Sequence, residues 1–172
     1  MSTLQVENLI GPTSGSNANK VIIPSGQTLH APGHVIQVVE ANFVSNNVTS
    51  STSFVATDIT ASITPTSSSS KILVSVTTGV DTNSSTRVIQ LTLYRNNTTN
   101  LMARAGSSVD YIGYATNNAG RLMCPITVNY TDSPNTTSSV TYTLYHKSAG
   151  SYQTEVPGTF QTQQITLQEI AQ

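Results

Sequence analysis

The stretch Val55–Ile63, with the sequence VATDITASI, decides the fold because apolar or β-branched residues occupy every second position. Side chains alternate between the two faces of an extended strand, whereas a helix repeats about every 3.6 residues. The positions that share one face are Val55, Thr57, Ile59, Ala61 and Ile63. All five are apolar or β-branched, so we predict a strand whose one face covers a hydrophobic core.

The same alternation recurs on both sides of this stretch. Residues 88–94 set apolar side chains inward at positions 89, 91 and 93, with Gln90 and Thr92 outward. Asn96-Asn97 is a turn signal that predicts a return strand from Leu101. Further strands are predicted at residues 35–39, 71–76, 126–130, 140–145 and 164–168.

Helical periodicity is missing from every segment longer than two turns, so we expect almost no helix. Residues 105–121 have no sustained period and are interpreted as exposed loop or a short edge strand. About eight short strands separated by turns predict an all-β fold, namely an antiparallel β-sandwich or a jelly roll.

The composition is rich in neutral polar residues and poor in charged ones. Ser, Thr, Asn and Gln make up 74 of the 172 residues, whereas Asp, Glu, Lys and Arg make up only 15. Disordered chains combine low hydrophobicity with high net charge, but here the net charge is -1 and 37% of the residues are hydrophobic. The composition therefore favours a folded structural or adhesive protein.

Several classes of partner are disfavoured by the same totals. Seven Lys and Arg residues provide little attraction for phosphate backbones, so nucleic acid is not an expected partner. Membrane insertion is not expected either, because no apolar run reaches about 18 residues. The N-terminus lacks the basic and apolar regions of a signal peptide, so we expect synthesis in a cytoplasm.

The N-terminal segment differs from the rest, and we predict two parts, a stem at residues 1–33 and a β head at residues 34–172. Residues 21–24, VIIP, predict a strand that is too short to bury its own apolar side chains. The stem has too few apolar residues for its own core, so it must pack on copies of itself or on a partner. The predicted oligomer and anchor contacts are Leu4, Val6, Leu9, Val21 and Ile23.

The sequence offers little support for a catalytic or metal-binding site. None of the acids forms a close pair of the kind that glycosidases use, so we expect no enzyme, no catalytic residue and no cofactor. His30 and His34 could form metal-binding rings in a trimer, but exposed loop histidines are the favoured interpretation. Residues 81–85 lack the Gly and the distal Glu of a calcium loop and favour a plain turn. Cys124 is interpreted as a small buried hydrophobe.

The best candidate contact patch combines tyrosines with short polar side chains. Aromatic rings stack on sugars or apolar groups, while Asn and Asp can fix hydroxyls by hydrogen bonds. The predicted ligand-binding residues are Asp110, Tyr111, Tyr114, Asn117 and Asn118. The alternative is that these tyrosines cover strand edges or a subunit interface.

Several segments, taken in order, resemble small fibre-type structural proteins of phages, especially those of marine and aquatic phages. The longest is residues 63–74, ITPTSSSSKILV. The opening residues 1–6, MSTLQV, and residues 31–39, APGHVIQVV, are similar to the start of such chains. The remaining pieces are Leu93-Tyr94-Arg95-Asn96, Asp132-Ser133-Pro134, Thr141-Tyr142 and residues 165–170, ITLQEI.

The resemblance implies a virion component with an N-terminal anchor on other phage proteins and a β-structured head, commonly trimeric. No ligand site comes with it. The first expectation is therefore a tail fibre or similar appendage whose head contacts a glycan or protein of the host surface. The alternative is a capsid decoration protein or head fibre that coats or stabilises the shell.

Overall fold

The computed structural model describes most of the chain, at residues 10–18, 20–25, 31–82, 87–103, 110–111, 113–117, 122–158 and 161–172. The chain divides into two units, Met1–Ala31 and Pro32–Gln172. This division lies close to the boundary that the sequence predicts between residues 33 and 34.

The described residues of the first unit contain no strand, so the strand predicted at residues 21–24 is wrong within this chain. Val21, Ile22 and Ile23 are 50%, 53% and 42% exposed. Three β-branched apolar side chains in a row thus each remain about half exposed. The other predicted contact residues of the stem, Leu4, Val6 and Leu9, lie outside the described residues.

The second unit consists of strands joined by turns, and no helix occurs in the described part of the chain. No helix there could therefore be long and apolar enough to span a membrane. The strands are β1 (Val35–Phe43), β2 (Asn47–Thr49), β3 (Val55–Ile63), β4 (Lys71–Thr82), β5 (Arg87–Arg95), β6 (Thr99–Asn100), β7 (Gly113–Asn117), β8 (Leu122–Asp132), β9 (Val140–Ser148), β10 (Thr154–Val156) and β11 (Gln163–Ile170).

The strands form two antiparallel sheets, which confirms the predicted all-β fold class. In the six-stranded sheet the long strands have the order β1-β11-β4-β8, and short β10 and β2 extend it beside the end of β4. In the five-stranded sheet the order is β3-β9-β5-β7, with β6 also pairing β5. Because the chain crosses repeatedly between sheets to give these two four-strand orders, the topology is that of a jelly roll.

The core lies between the two sheets and contains the predicted inward positions. Ile59 and Ile63 of β3, with Leu91 and Leu93 of β5, are at most 2% exposed. Val55 was expected on the same face, but it is 40% exposed. The inward alternation begins two residues later, at Thr57, which is 6% exposed, although the register with β9 is irregular between Ala56 and Thr60.

The backbone conformation of two asparagines explains the turn between β5 and β6. Asn96 and Asn97 have φ angles of 52° and 56°, a left-handed conformation that Asn adopts more readily than most residues. They close the β5–β6 hairpin, so the predicted turn is confirmed. The return strand is only Thr99–Asn100 and ends before Leu101, so the predicted start at Leu101 is wrong.

Candidate functional site on the five-stranded sheet

Several of the predicted patch residues lie in or against the five-stranded sheet. Asp110 and Tyr111 are half-buried, and β7 pairs with β5 so that the backbone of Tyr114 lies opposite Gln90. The backbone of Asn117 lies opposite Arg87, while Asn118 is outside the described residues. The structure thus places Asp110, Tyr111 and β7 along one side of this sheet.

Aromatic side chains occupy the outer face of β5 and β9. Thr92 of β5 pairs with Tyr145 of β9, and Tyr94 pairs with Thr143, so the two tyrosines are diagonal neighbours on one face. Their rings stack with centroids 4.0 Å apart and planes at 27°. Phe54, which precedes β3, meets the Tyr94 ring edge-on at a centroid distance of 6.3 Å. Offset and edge-on contacts of this kind stabilise aromatic clusters.

An ion pair borders the rings. Lys147 Nζ lies 4.2 Å from the Phe54 ring centroid, in a cation–π contact, and 3.1 Å from Asp110 Oδ1. The side chains of Lys147 and Asp110 are 16% and 36% exposed. We call Phe54, Tyr94, Tyr145, Lys147 and Asp110 the tyrosine face.

Asn100 fixes Asp110 beside the rings. Its Nδ2 donates to the Asp110 carbonyl oxygen at 2.9 Å, and its Oδ1 accepts from Thr92 Oγ1 at 2.6 Å. Thr92 is consequently buried although its side chain points away from the core, as its strand position predicts. The segment at Asp110 is therefore held to the sheet by both its backbone and its carboxylate.

Tyr94 remains a hydrogen-bond donor in this setting. Burial raises the pKa of its hydroxyl above the ordinary value, and the neighbouring Tyr145 and Asp110 raise the pKa further. Deprotonation beside a carboxylate is unfavourable because two negative charges would lie close together. The face thus offers neutral hydroxyls, aromatic edges and one partly exposed ion pair, which suit recognition of a polar ligand by contact.

The structure gives little support to the other sites considered from sequence, at the histidines, at residues 81–85 and at Cys124. Among the residues described, no group of three or more His, Cys, Asp or Glu side chains could hold a metal ion. His34 is exposed, and His30 is outside the described residues. Asp81 and Thr82 continue β4, where Asp81 pairs with Glu155, so the predicted plain turn is wrong for these two residues. Cys124 is half-buried and packs against the core.

Six of the segments that carry the phage resemblance meet in two polar clusters within the fold, whereas residues 1–6 lie outside the described residues. In the first, Arg95 Nη1 lies 2.9 Å from Asp132 Oδ2, and the buried Tyr142 hydroxyl donates to the same oxygen at 2.8 Å. Burial raises the pKa of the Tyr142 hydroxyl, and the bond to Asp132 raises the pKa further. Three separate segments are thus tied together at one end of the sandwich.

The second cluster surrounds Glu169 on β11, which is fully buried. Its Oε1 accepts hydrogen bonds from the Thr66 backbone N–H and hydroxyl, both at 2.8 Å, and its Oε2 accepts one from Gln37 Nε2 at 2.6 Å. Burial alone would raise the pKa of this carboxyl group, but the bonds from Gln37 and Thr66 lower the pKa overall. Both clusters support the scaffold and share no residue with the tyrosine face.

Sequence reasoning missed Phe54, Tyr94, Tyr145 and Lys147 as parts of one surface. The available signal was an aromatic residue at an outward position in each of two strands that otherwise expose Thr and Gln there. Pairing of β5 with β9 brings these residues together, and this register cannot be read from either strand alone.

Comparison with known proteins adds no family: the chain matches no protein-family model, and no curated protein sequence matches it.

Proposed function

We propose that this chain is a fibre-type structural protein of a phage virion, with the N-terminal segment as its anchor on other virion proteins and the jelly-roll head in contact with the host surface. The protein acts as a homotrimer, without catalysis or a cofactor. The host ligand is a surface glycan or protein, and it binds at the tyrosine face.

The observation that carries this proposal is the tyrosine face itself. Most of the strand surface carries neutral Thr, Ser, Asn and Gln side chains, whereas Phe54, Tyr94 and Tyr145 gather on one outer face beside an ion pair. Tyr combines a large ring with a polar tip, and it is enriched at recognition surfaces for this reason. Jelly rolls also occur in viral capsid and lectin domains, a likeness of fold that supports the class of protein by analogy.

The exposed apolar run in the first unit supports the anchor. Val21, Ile22 and Ile23 lie next to Pro24, and each is at least 42% exposed. Such a run is stabilised when a partner or further copies of the chain cover it. Val21 and Ile23 therefore remain our proposed anchor contacts, together with Leu4, Val6 and Leu9.

A second candidate is a capsid decoration protein or head fibre that coats or stabilises the shell. One observation favours this candidate. The stacked rings of Tyr94 and Tyr145 each cover one face of the other, and Lys147 lies over the Phe54 ring. Aromatic faces that cover one another also suit a purely structural cluster. Labelling the protein on intact particles separates the two candidates, because label over capsomers contradicts a tail fibre.

Competition for adsorption tests the host contact. Purified full-length protein is expected to reduce phage adsorption to host cells in a saturable way. The double substitution Tyr94→Ala with Tyr145→Ala removes the stack and is expected to weaken competition at least about tenfold, as loss of a central aromatic contact does at binding surfaces. Unchanged competition by this variant would place the contact elsewhere.

A matched pair, Tyr94→Phe with Tyr145→Phe, keeps the rings and removes only the hydroxyls. Retained competition assigns recognition to the rings, and lost competition assigns it to the hydroxyls. Tyr111→Ala with Tyr114→Ala tests the patch predicted from sequence in the same assay. Circular dichroism of each variant confirms that the fold is kept.

A further inference from the structure

The outer face of the six-stranded sheet differs chemically from the tyrosine face. Alternation along β11 and β4 sets six neighbouring side chains outward, and the register pairs Gln164 with Thr77, Thr166 with Ser75, and Gln168 with Leu73. We call these six residues the neutral face, since none of them carries a charge.

Charge is confined to the rim of this face. Glu40, on the edge strand β1, pairs with Thr166, and Lys71 begins β4. Both charged residues are exposed, whereas the centre contains only amides, hydroxyls and one leucine. A centre depleted of charge with a polar rim is the usual arrangement of a protein interface.

Amides and hydroxyls both donate and accept hydrogen bonds, so a face built from them can satisfy a copy of itself. Residues of the face already form such pairs with the neighbouring strands: Gln164 Nε2 donates to Asn42 Oδ1 of β1 at 3.2 Å, and the hydroxyls of Thr77 and Thr127 of β8 lie 3.4 Å apart. Identical charged faces would instead repel one another where copies meet around a symmetry axis.

Two apolar side chains, Val38 and Leu73, flank Gln168 on the same face. Val38 and Leu73 both pair with Gln168, one on each side, so the three side chains form one row across β1, β11 and β4. Val38 is 56% exposed, and Leu73 is half-buried on the side away from the core. A large apolar side chain in this position is stabilised when another surface covers it.

We infer that the neutral face packs against other copies of this chain, facing the axis of the head trimer, while the tyrosine face remains free for the host ligand. This inference rests on the trimer of the proposed function and assigns its head contact to a particular surface. Charge selects the occupant: a face with an uncharged, self-complementary centre fits its own copy better than a strongly charged partner.

Insertion of charge into the neutral face tests the assignment. Thr77 is exposed, so Thr77→Arg fits the isolated head, and Asn129→Arg adds a second charge on the neighbouring strand β8. In a trimer each substitution brings three like charges to one interface. We expect Thr77→Arg to raise the dissociation concentration at least about tenfold and the double variant to be monomeric, because juxtaposed like charges cost several kcal/mol. Light scattering of the full-length protein measures this.

The matched control is Thr99→Arg, at an exposed threonine in β6 of the other sheet, and it is expected to remain trimeric. Circular dichroism and thermal unfolding show that each variant is folded. A folded double variant that remains trimeric overturns the inference, and so does a wild-type chain that is monomeric at tens of micromolar.

Adsorption competition with the monomeric double variant separates this inference from the host contact. If that variant still competes, with only the loss expected from fewer binding sites per particle, assembly and host contact use different faces, as we infer. If the wild type is trimeric and neither wild type nor variant competes, the proposed host contact is rejected. The assignment of the trimer interface to the neutral face is then still supported. If charge on the neutral face abolishes competition in a variant that is still trimeric, the face binds the ligand and the inference is overturned.

Discussion

At the scale of single residues, buried polar side chains are expected to determine how stability responds to pH and to substitution. His146 is 1% exposed, and its Nδ1 finds no hydrogen-bond partner among the described residues. Burial lowers the pKa of this imidazole to about 4, because the charged form would lose its hydration. The native state therefore holds His146 neutral over a pH range in which an unfolded chain would protonate it.

Because the pKa of His146 is depressed, we predict that the free energy of unfolding decreases as the pH is lowered. The unfolded state binds the extra proton below about pH 6.5, so the His146 contribution is present above that pH and is lost as pH falls towards 4. The loss is about 3 kcal/mol at pH 4, at roughly 1.4 kcal/mol per pKa unit. Urea unfolding at a series of pH values measures it. His146→Leu is expected to flatten the profile in this window, and an unchanged slope in that variant would contradict the assignment.

Asp132 predicts an ordered pair of mutational effects. Asp132→Ala leaves the buried Tyr142 hydroxyl without its acceptor and removes the partner of Arg95, so we expect a loss of about 3 kcal/mol. Tyr142→Phe removes one donor while Asp132 keeps Arg95, and about 1 kcal/mol is expected. Equilibrium unfolding in denaturant gives both values, with the exposed Asp58→Ala as control. A larger effect of Tyr142→Phe than of Asp132→Ala would count against this arrangement.

At the scale of elements, Glu169 fastens the β3–β4 connection to the last strand. Glu169→Gln replaces a carboxylate that accepts three hydrogen bonds by an amide whose NH2 group faces donors. We expect a loss of about 2 kcal/mol, the usual range for hydrogen bonds to a charged group. We also expect faster proteolytic cleavage within residues 64–70, because the turn is released from β11.

Glu40→Gln provides the control for this prediction, since it is the same change at an exposed carboxylate on the same sheet. Its effect should stay within about 0.5 kcal/mol, as for most surface substitutions. Equal effects at Glu40 and Glu169 would show that the connection is not held by the buried carboxylate.

For the whole molecule, the scarcity of charge predicts weak dependence on salt. With seven basic and eight acidic residues, long-range electrostatic terms are small, and added salt has little to screen. The thermal midpoint is expected to change by less than about 3 °C between roughly 0.05 and 1 M sodium chloride. Calorimetry measures this, and a much larger shift would show that surface ion pairs contribute more than the structure indicates.

The alternation of apolar residues was enough to predict the class of fold. Ile59, Ala61 and Ile63 lie in the core because a strand of period two has only one face to bury. Asn96 and Asn97 were readable as a turn because their conformation is a local property. Val55 and the short strand Thr99–Asn100 were not readable, since the exposure of a strand's first residue and the length of a return strand depend on partners distant in sequence.

The candidate site was less readable than the fold. Asp110 and Tyr111 were predicted as contact residues, and the structure sets Asp110 against Lys147, a partner 37 positions away in sequence. Tyr94, Tyr145 and Phe54 belong to three segments that only strand pairing brings together. The stem residues Leu4, Val6, Leu9, Val21 and Ile23 remain predicted contacts.

The sequence by itself determined that this chain forms antiparallel strands with an apolar inner face and an uncharged polar surface, because period and composition are properties of neighbouring residues. Only the tertiary structure decided that the two outer faces differ, one with clustered tyrosines and an ion pair, the other with an uncharged centre of amides, hydroxyls and one leucine. The physical reason is that a surface consists of side chains from several strands, and the order and register of those strands are fixed by the packing of the whole sandwich.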